Sequence, residues 1–255
     1  DSRRALNLSY NVLNLLSEVK TGSTTKARYS YLADGAKLQV RDADGNGFDY
    51  LGSLTYSNSS AELQLESANF GDGVIRTNVS NSGETEVNYF MTDHLGSVRA
   101  IVDNNGVVKE RNDYYPFGAK HMRGDYPQLS ANRYKYNGKE NQVTGDLDYL
   151  DYGARMYDRG LGRWFNIDPC AEDYTNIAPY VFVANNSLNL LDTDGRKIIF
   201  VNGLLAAGSP EGGQAYWNRS FVSAAQDYFK DRTIPYFTNI EHDIYSSAMD
   251  RQIAG

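Results

Sequence analysis

Between Leu8 and Gly118, short runs of alternating apolar and polar residues are separated repeatedly by Asp-Gly and Asn-Gly pairs. Alternation with a period of two marks a strand with one buried face. A glycine after Asp or Asn supplies the positive φ that a two-residue hairpin turn requires. Asp34-Gly35, Asp44-Gly45 and Asn105-Gly106 are the clearest such turns. Ser97–Val102, Asn104-Asn105-Gly106 and Val107–Arg111 spell one complete hairpin, and Ala27–Tyr31 and Lys37–Arg41 each lead into another turn. The units differ in sequence but repeat in pattern, which predicts hairpins side by side in an extended sheet rather than a small closed barrel. One hairpin cannot bury its apolar face alone, so each needs its neighbours. The first strand is then expected to be exposed along one edge or to pair with sequence that precedes it.

Composition agrees with strands. Twenty Tyr stand against two Trp and six Pro, and Tyr suits a pleated, half-buried surface with its hydroxyl reaching a polar partner. The net charge of -7 and pI of about 5.0 argue against a broad phosphate-binding surface, so nucleic acid is not an expected partner. Cys170 is the only cysteine, which excludes an intrachain disulfide framework. No apolar run approaches the roughly 20 residues of a membrane span. The chain opens on Asp1 with neither Met nor a signal-peptide pattern and reads as a piece of something longer.

The texture changes twice. After Gly118, Tyr and Gly crowd Arg133–Glu140 and Asp148–Asp158, predicting short strands and turns. After Gly195, Lys197–Val201 is an apolar run of buried-strand type. Gln214–Lys230 then carries Tyr216, Trp217, Phe221, Ala224, Ala225, Tyr228 and Phe229 at helical spacing, and Thr233–Phe237 reads as a further short strand. Strand, helix, strand differs in kind from hairpins. The expected division is therefore 1–118, a hairpin segment; 119–196, a distinct closing unit; and 197–255, the start of a small α/β region that is short for an enzyme and reads as truncated. Its opening is faintly like the first strand of an α/β hydrolase, but no G-x-S-x-G elbow follows.

Within the closing unit, Arg155-Met156-Tyr157-Asp158, Gly162-Arg163-Trp164 and Asp168-Pro169 resemble the R-x-Y-D-x-x-x-G-R-[FW]-x-x-x-D-P signature that opens the Rhs repeat-associated core. Tyr180–Ser187 with Asp192-Thr193-Asp194-Gly195-Arg196 is similar to that core's closing Y-x-Y-x-x-N-N-P-x-x-x-x-D-P-x-G-[LR]. Thr92–Arg99, Asp113–Gly118 and Tyr136–Glu140 also look like hallmarks of Rhs/YD-repeat proteins, so the resemblance covers about residues 8–196. The chain departs from the pattern at Thr193 and Ser187, where proline is usual, and at Phe182, where Tyr is common. The first change puts the efficiency of any cut in doubt, because proline fixes φ near the bond concerned.

The resemblance implies a mainly β fold: stacked hairpins of a YD-repeat shell closed by an Rhs core, similar to the C component of insecticidal toxin complexes, with a small α/β segment after it. It implies a shell that encloses the chain's own C-terminal toxin and releases it by aspartyl self-cleavage. Carried over position by position, the catalytic groups are Asp168 and Asp192 with Arg155 in support, and the cut falls after Arg196, between it and Lys197. Two carboxylates sharing a site cannot both ionise cheaply, so one stays protonated to polarise the scissile carbonyl while the other activates water. A nearby guanidinium would hold a carboxylate ionised or steady the oxyanion.

Each residue has a plainer reading. Asp before Pro or Gly is commonly a turn residue, Asp194 competes with Asp192 for the second role, and Arg155 fits an ordinary structural ion pair. Cys170 reads as a small buried apolar residue, since no His lies near it in sequence. His94, His121 and His242 lack metal-ligand spacing, and neither a metal nor another cofactor is expected. By the same resemblance the chain would be a secreted or cell-surface-delivered bacterial protein. Its partners would be a secretion-system spike or adaptor, as in type VI secretion and interbacterial competition, and an immunity protein. The rival is a non-catalytic YD-repeat cell-wall or adhesion protein whose Asp residues only shape turns.

Overall fold

The computed structural model describes residues 4–200 apart from 60–61, 78–82, 174 and 197. The helix expected at Gln214–Lys230 and the strand at Thr233–Phe237 lie outside the described residues.

Eleven strands form one sheet whose spatial order is the chain order, every pair antiparallel: β1 (Leu6–Tyr10), β2 (Leu16–Thr21), β3 (Thr24–Tyr31), β4 (Lys37–Arg41), β5 (Gly47–Leu51), β6 (Leu54–Ser59), β7 (Glu62–Phe70), β8 (Gly73–Arg76), β9 (Glu86–Thr92), β10 (Val98–Asp103) and β11 (Val108–Arg111). This is the extended sheet of neighbouring hairpins that the repeated pattern predicts, and the fold is mainly β.

The turns correct the expectation in one respect. At the three Asp/Asn-Gly sites the loops are not two-residue turns. In the β10–β11 loop the Gly106 N–H donates to the Asp103 carbonyl at 3.0 Å, and the Asp103 N–H donates to the Val107 carbonyl at 3.0 Å. That is a three-residue loop with a bulge at the glycine, whose φ is +81°. The Asp103 carboxylate accepts the Asn105 and Val107 N–H groups, each at 2.9 Å. Asp42 grips Asp44 and Asn46 identically, and Asp93 grips Leu95 and Ser97. At Gly45, Gly96 and Gly106 the loop is thus dictated by the Asp three positions before the glycine as much as by the glycine itself, whereas at Gly35 that position is Leu32 and Asp34 accepts the Ala36 N–H instead. Two-residue loops do occur, at Gly22-Ser23 and Gly52-Ser53.

After the sheet the strands shorten: β12 (Asp113–Tyr114) pairs with β13 (Lys120–His121). β14 (Glu140–Gln142), β15 (Tyr149–Asp151), β16 (Met156–Asp158) and β17 (Arg163–Trp164) make a four-stranded sheet, and β18 (Leu190–Asp192) pairs with β19 (Ile198–Phe200). Two cores hold the parts together. One joins Leu6, Leu16, Val19, Ala27, Tyr29 and Val40 of β1–β4 to Leu147, Tyr149 and Met156. The other is aromatic and contains Tyr136, Tyr152, Tyr157, Trp164 and Phe182, closed by Leu190 and Ile198. The tyrosines use both ends, as their abundance suggests. Rings pack edge-to-face in the core, while Tyr136 and Tyr157 donate hydroxyl hydrogens to the Pro116 and Phe117 carbonyls at 2.7 and 2.9 Å. Phe182, where a hydroxyl is absent, is wholly buried in this cluster.

Candidate functional site, two carboxylates on one guanidinium

The aromatic core positions the site. Arg155 lies in the turn between β15 and β16, with its guanidinium 4.1 Å from the centre of the Trp164 ring. Its Nε donates to the Gly195 carbonyl at 2.6 Å and its Nη1 to the Pro179 carbonyl at 3.3 Å. Nη2 meets Asp168 Oδ2 at 2.7 Å and Asp192 Oδ2 at 3.3 Å. Both carboxylates therefore sit on one nitrogen, and the sum of those two distances bounds their separation. The structure brings Arg155, Asp168 and Asp192 together, and it places the arginine between the acids. The Arg155 and Asp192 side chains are 1% exposed and that of Asp168 is 11% exposed.

Each acid has a second task. Asp168 Oδ1 accepts the Cys170 N–H at 2.8 Å, the turn role expected of an Asp before Pro. Asp192, the last residue of β18, accepts the N–H groups of Asp194, Gly195 and Arg196 on Oδ1 at 3.2, 2.7 and 3.1 Å. It is a turn-former and a member of the buried cluster at once. Asp194 is exposed on the same loop, and its Oδ1 accepts the Arg196 N–H at 3.0 Å. Arg196 is exposed, and Lys197 lies outside the described residues.

Because Asp192 pairs with Ile198 in the β18–β19 register, the Arg196–Lys197 bond falls within the loop of a tight hairpin whose two arms are both anchored. Gly195, with φ of +78°, passes so close to Arg155 that an added Cβ would lie 2.9 Å from the Arg155 nitrogen. A small pocket with room for about one water molecule is lined by Asp168, Ala178, Pro179 and Val181 and reaches Ile198, the residue after the loop.

Electrostatics separates the two acids. Burial pushes the Asp192 carboxyl from 3.8 up to about 7, against the pull of Arg155 and of the backbone N–H groups, and Asp194 adds to the rise. Burial also raises Asp168, again opposed by Arg155. A folded-state pKa above the unfolded one means the native protein binds the extra proton. The stability that Asp192 contributes is therefore present in full below about 3.8 and is lost as pH rises through about 7. Urea midpoints are expected to fall between pH 5 and pH 8, and Asp192→Asn should flatten that part of the curve. An unchanged slope in the variant would assign the titration to another group.

Sequence reasoning missed two participants. Trp164, quoted only as part of the motif, is the surface on which Arg155 rests. Lys139 donates from Nζ to the Thr193 carbonyl, at the position where the family pattern has proline. Both stand in recognised motifs, so a signal existed, but their roles arise from contacts distant in sequence. Among the described residues no group of three or more His, Cys, Asp and Glu side chains could hold a metal, and no helix is long and apolar enough to cross a membrane.

No family model matches the chain. In sequence it is 36% identical over 122 residues to Toxin subunit YenC1 of Yersinia entomophaga, covering 47% of this chain and 12% of that protein. It is 38% identical over 97 residues to Toxin subunit YenC2 of the same organism, covering 37% and 10%. It is 33% identical over 108 residues to Salivary gland surface protein 1 of Aedes aegypti, covering 42% and 3%. The chain thus spans about an eighth or less of these relatives.

In structure it matches the TcdB2-TccC3-Cdc42 crystal structure with a TM-score of 0.60 at 24% identity, over 75% of this chain and 10% of that one. A Photorhabdus luminescens Tc holotoxin pore with mutant TccC3 gives 0.60 at 21%, over 79% and 10%. TcdB2-TccC3 without its hypervariable C-terminal region gives 0.58 at 24%, over 75% and 10%. At these identities the structures speak for the fold alone. In sequence the chain is similar to toxin-complex subunits over part of its length, which fits the Rhs/YD-repeat shell proteins that its motifs resemble, and in fold it matches the toxin-complex structures.

Proposed function

We propose that this chain is the closing end of an Rhs-type shell, with residues 1–118 as wall, 119–196 as an autoproteolytic core and the region from Lys197 onward as enclosed toxin. The observation that carries it is the meeting of buried Asp192 and half-buried Asp168 on one nitrogen of Arg155, beside the loop that contains the Arg196–Lys197 bond.

In this reading Asp168, which lines the water-sized pocket, takes a proton from water as the oxygen attacks the Arg196 carbonyl. Asp192, held protonated by burial up to about pH 7, gives its proton to the reacting peptide. The C–N bond breaks, leaving a carboxylate on Arg196 and an amine on Lys197. Arg155 keeps Asp168 ionised and both acids in place. Delivery by a secretion-system spike, neutralisation by an immunity protein and action against a competing cell extend the same proposal. Its support is the likeness to toxin-complex subunits.

Expressed whole, the chain should yield two fragments, broken between Arg196 and Lys197 and together heavier than the intact chain by one water. Asp168→Asn should remain a single species. Identical single species from both would remove the self-cleavage. A second reading, a structural surface protein with no chemistry, is favoured by the likeness to Salivary gland surface protein 1. It predicts a chain that stays whole on intact mass spectrometry.

A further inference from the structure

The loop from Thr193 to Arg196 is held by an unusual run of donors. The Gly195 carbonyl accepts Arg155 Nε at 2.6 Å, and the Asp194 carbonyl accepts the Ala154 N–H at 3.1 Å. The Thr193 carbonyl accepts Lys139 Nζ. Three successive carbonyls ahead of the junction are thus each tied to a group outside the loop, while Asp192 Oδ1 gathers the loop's N–H groups from within.

Two of those outside donors come from the turn that carries Arg155. Lys139 comes from elsewhere, the residue before β14, so it fixes the loop against a second element. Its ammonium lies 5.1 Å from the centre of the Tyr152 ring, which limits where the side chain can swing. Burial pulls its pKa below the ordinary lysine value, opposed by Asp192, Asp151 and Asp194, which supply its negative surroundings.

We propose that Lys139 is a positioning residue for the self-cleavage, its ammonium holding the Thr193 carbonyl so that the loop presents the Arg196–Lys197 bond to Asp168 and Asp192. The inference rests on the proposed self-cleavage. The clamp, however, can be observed without it. Removing one charge-assisted hydrogen bond from a loop is expected to cost about tenfold or more in the populated geometry.

The test uses the full chain made by cell-free translation, with the appearance of fragments followed over time in wild type, Lys139→Met and Lys139→Arg. Lys139→Met should cut about ten times more slowly at unchanged melting temperature, and Lys139→Arg should recover most of the rate. The pH–rate profile gives a sign that a merely structural residue would not give. The groups around Asp192 are Arg155, Asp168, Asp194, Tyr152 and Lys139. Loss of the Lys139 cation should move its limb to higher pH.

Amide exchange at Gly195 and Arg196, measured in the uncut Asp168→Asn background, should speed up about tenfold when Lys139→Met is added. Unchanged exchange there, or a Lys139→Arg chain as slow as Lys139→Met, overturns the clamp. A wild-type chain that never cuts, with exchange still accelerated, leaves the clamp standing and removes the self-cleavage instead.

Discussion

Arg155→Met is expected to abolish the cut and to lower folding stability by about 3–5 kcal/mol, the cost typical of removing one partner from a buried ion pair. Met fills much of the space over Trp164 but offers nothing to Asp168, Asp192, the Gly195 carbonyl or the Pro179 carbonyl. A buried carboxylate, Asp192, and a half-buried one, Asp168, would then face each other without a counter-charge. Protonation relieves that repulsion, so the deficit should be smaller at pH 5 than at pH 8.

Arg155→Lys should recover little. A single ammonium cannot reproduce a planar fork that reaches two carbonyls and two acids at once. Urea midpoints at the two pH values, read beside intact masses, check each of these statements. A Met variant as stable as wild type at pH 8 would show that the acids are already neutral there and that the arginine is only a spacer.

Glu140→Gln is the second change with a large expected effect, and it acts on the joint between the sheet and the closing unit. Glu140 Oε1 accepts from Arg133 Nε and Tyr50 Oη, both at 2.9 Å, and Oε2 meets Lys37 Nζ at 2.8 Å and Gln142 Nε2 at 3.2 Å. Lys37 also reaches Asp151 at 2.6 Å, and Arg133 reaches Glu66 at 2.7 Å. Lys37 and Tyr50 belong to β4 and β5, whereas Arg133, Gln142 and Asp151 belong to the closing unit, so one carboxylate ties the two parts together.

Burial works to raise the Glu140 carboxyl, but Lys37 and Arg133 outweigh it and hold the group at about 2, below its ordinary 4.5. Its contribution to stability is therefore present above about 4.5 and lost as pH falls through about 2, opposite in sign to that of Asp192. The amide keeps the shape but turns a donor toward a cation or a donor. A loss of about 3 kcal/mol, seen as a fall of about 10 °C in melting temperature, is expected. A fall of a degree or two would mean that the remaining pairs, Lys37 with Asp151 and Arg133 with Glu66, carry the joint.

Why the architecture could be anticipated and the chemistry only in outline follows from the range of the forces involved. Alternation and turn chemistry act within a few residues, so an extended sheet of neighbouring hairpins could be read from the chain. The Asp-Gly and Asn-Gly pairs alone do not fix the loop length. The Asp103 carboxylate that closes the β10–β11 loop bonds to the residues two and four ahead of it, and a dipeptide rule looks only at Asn105-Gly106.

The candidate acids were reachable because the motifs that carry Asp168 and Asp192 occur in order around Arg155. Nothing local says that Asp192, 37 residues beyond Arg155, shares a nitrogen with Asp168. Nothing local says either that burial outweighs the guanidinium and lifts Asp192 to about 7. Desolvation depends on which residues enclose a group. Here the enclosing layer is assembled from Tyr152, Trp164, Phe182 and Ile198, which only the folded chain brings together. A meander of hairpins and the candidate acids are written into the order of residues, because turn chemistry and motif order are properties of neighbours. Tertiary structure alone decided their common arginine, their unequal acidity and the reach of Lys139 to the loop, because each is a through-space effect.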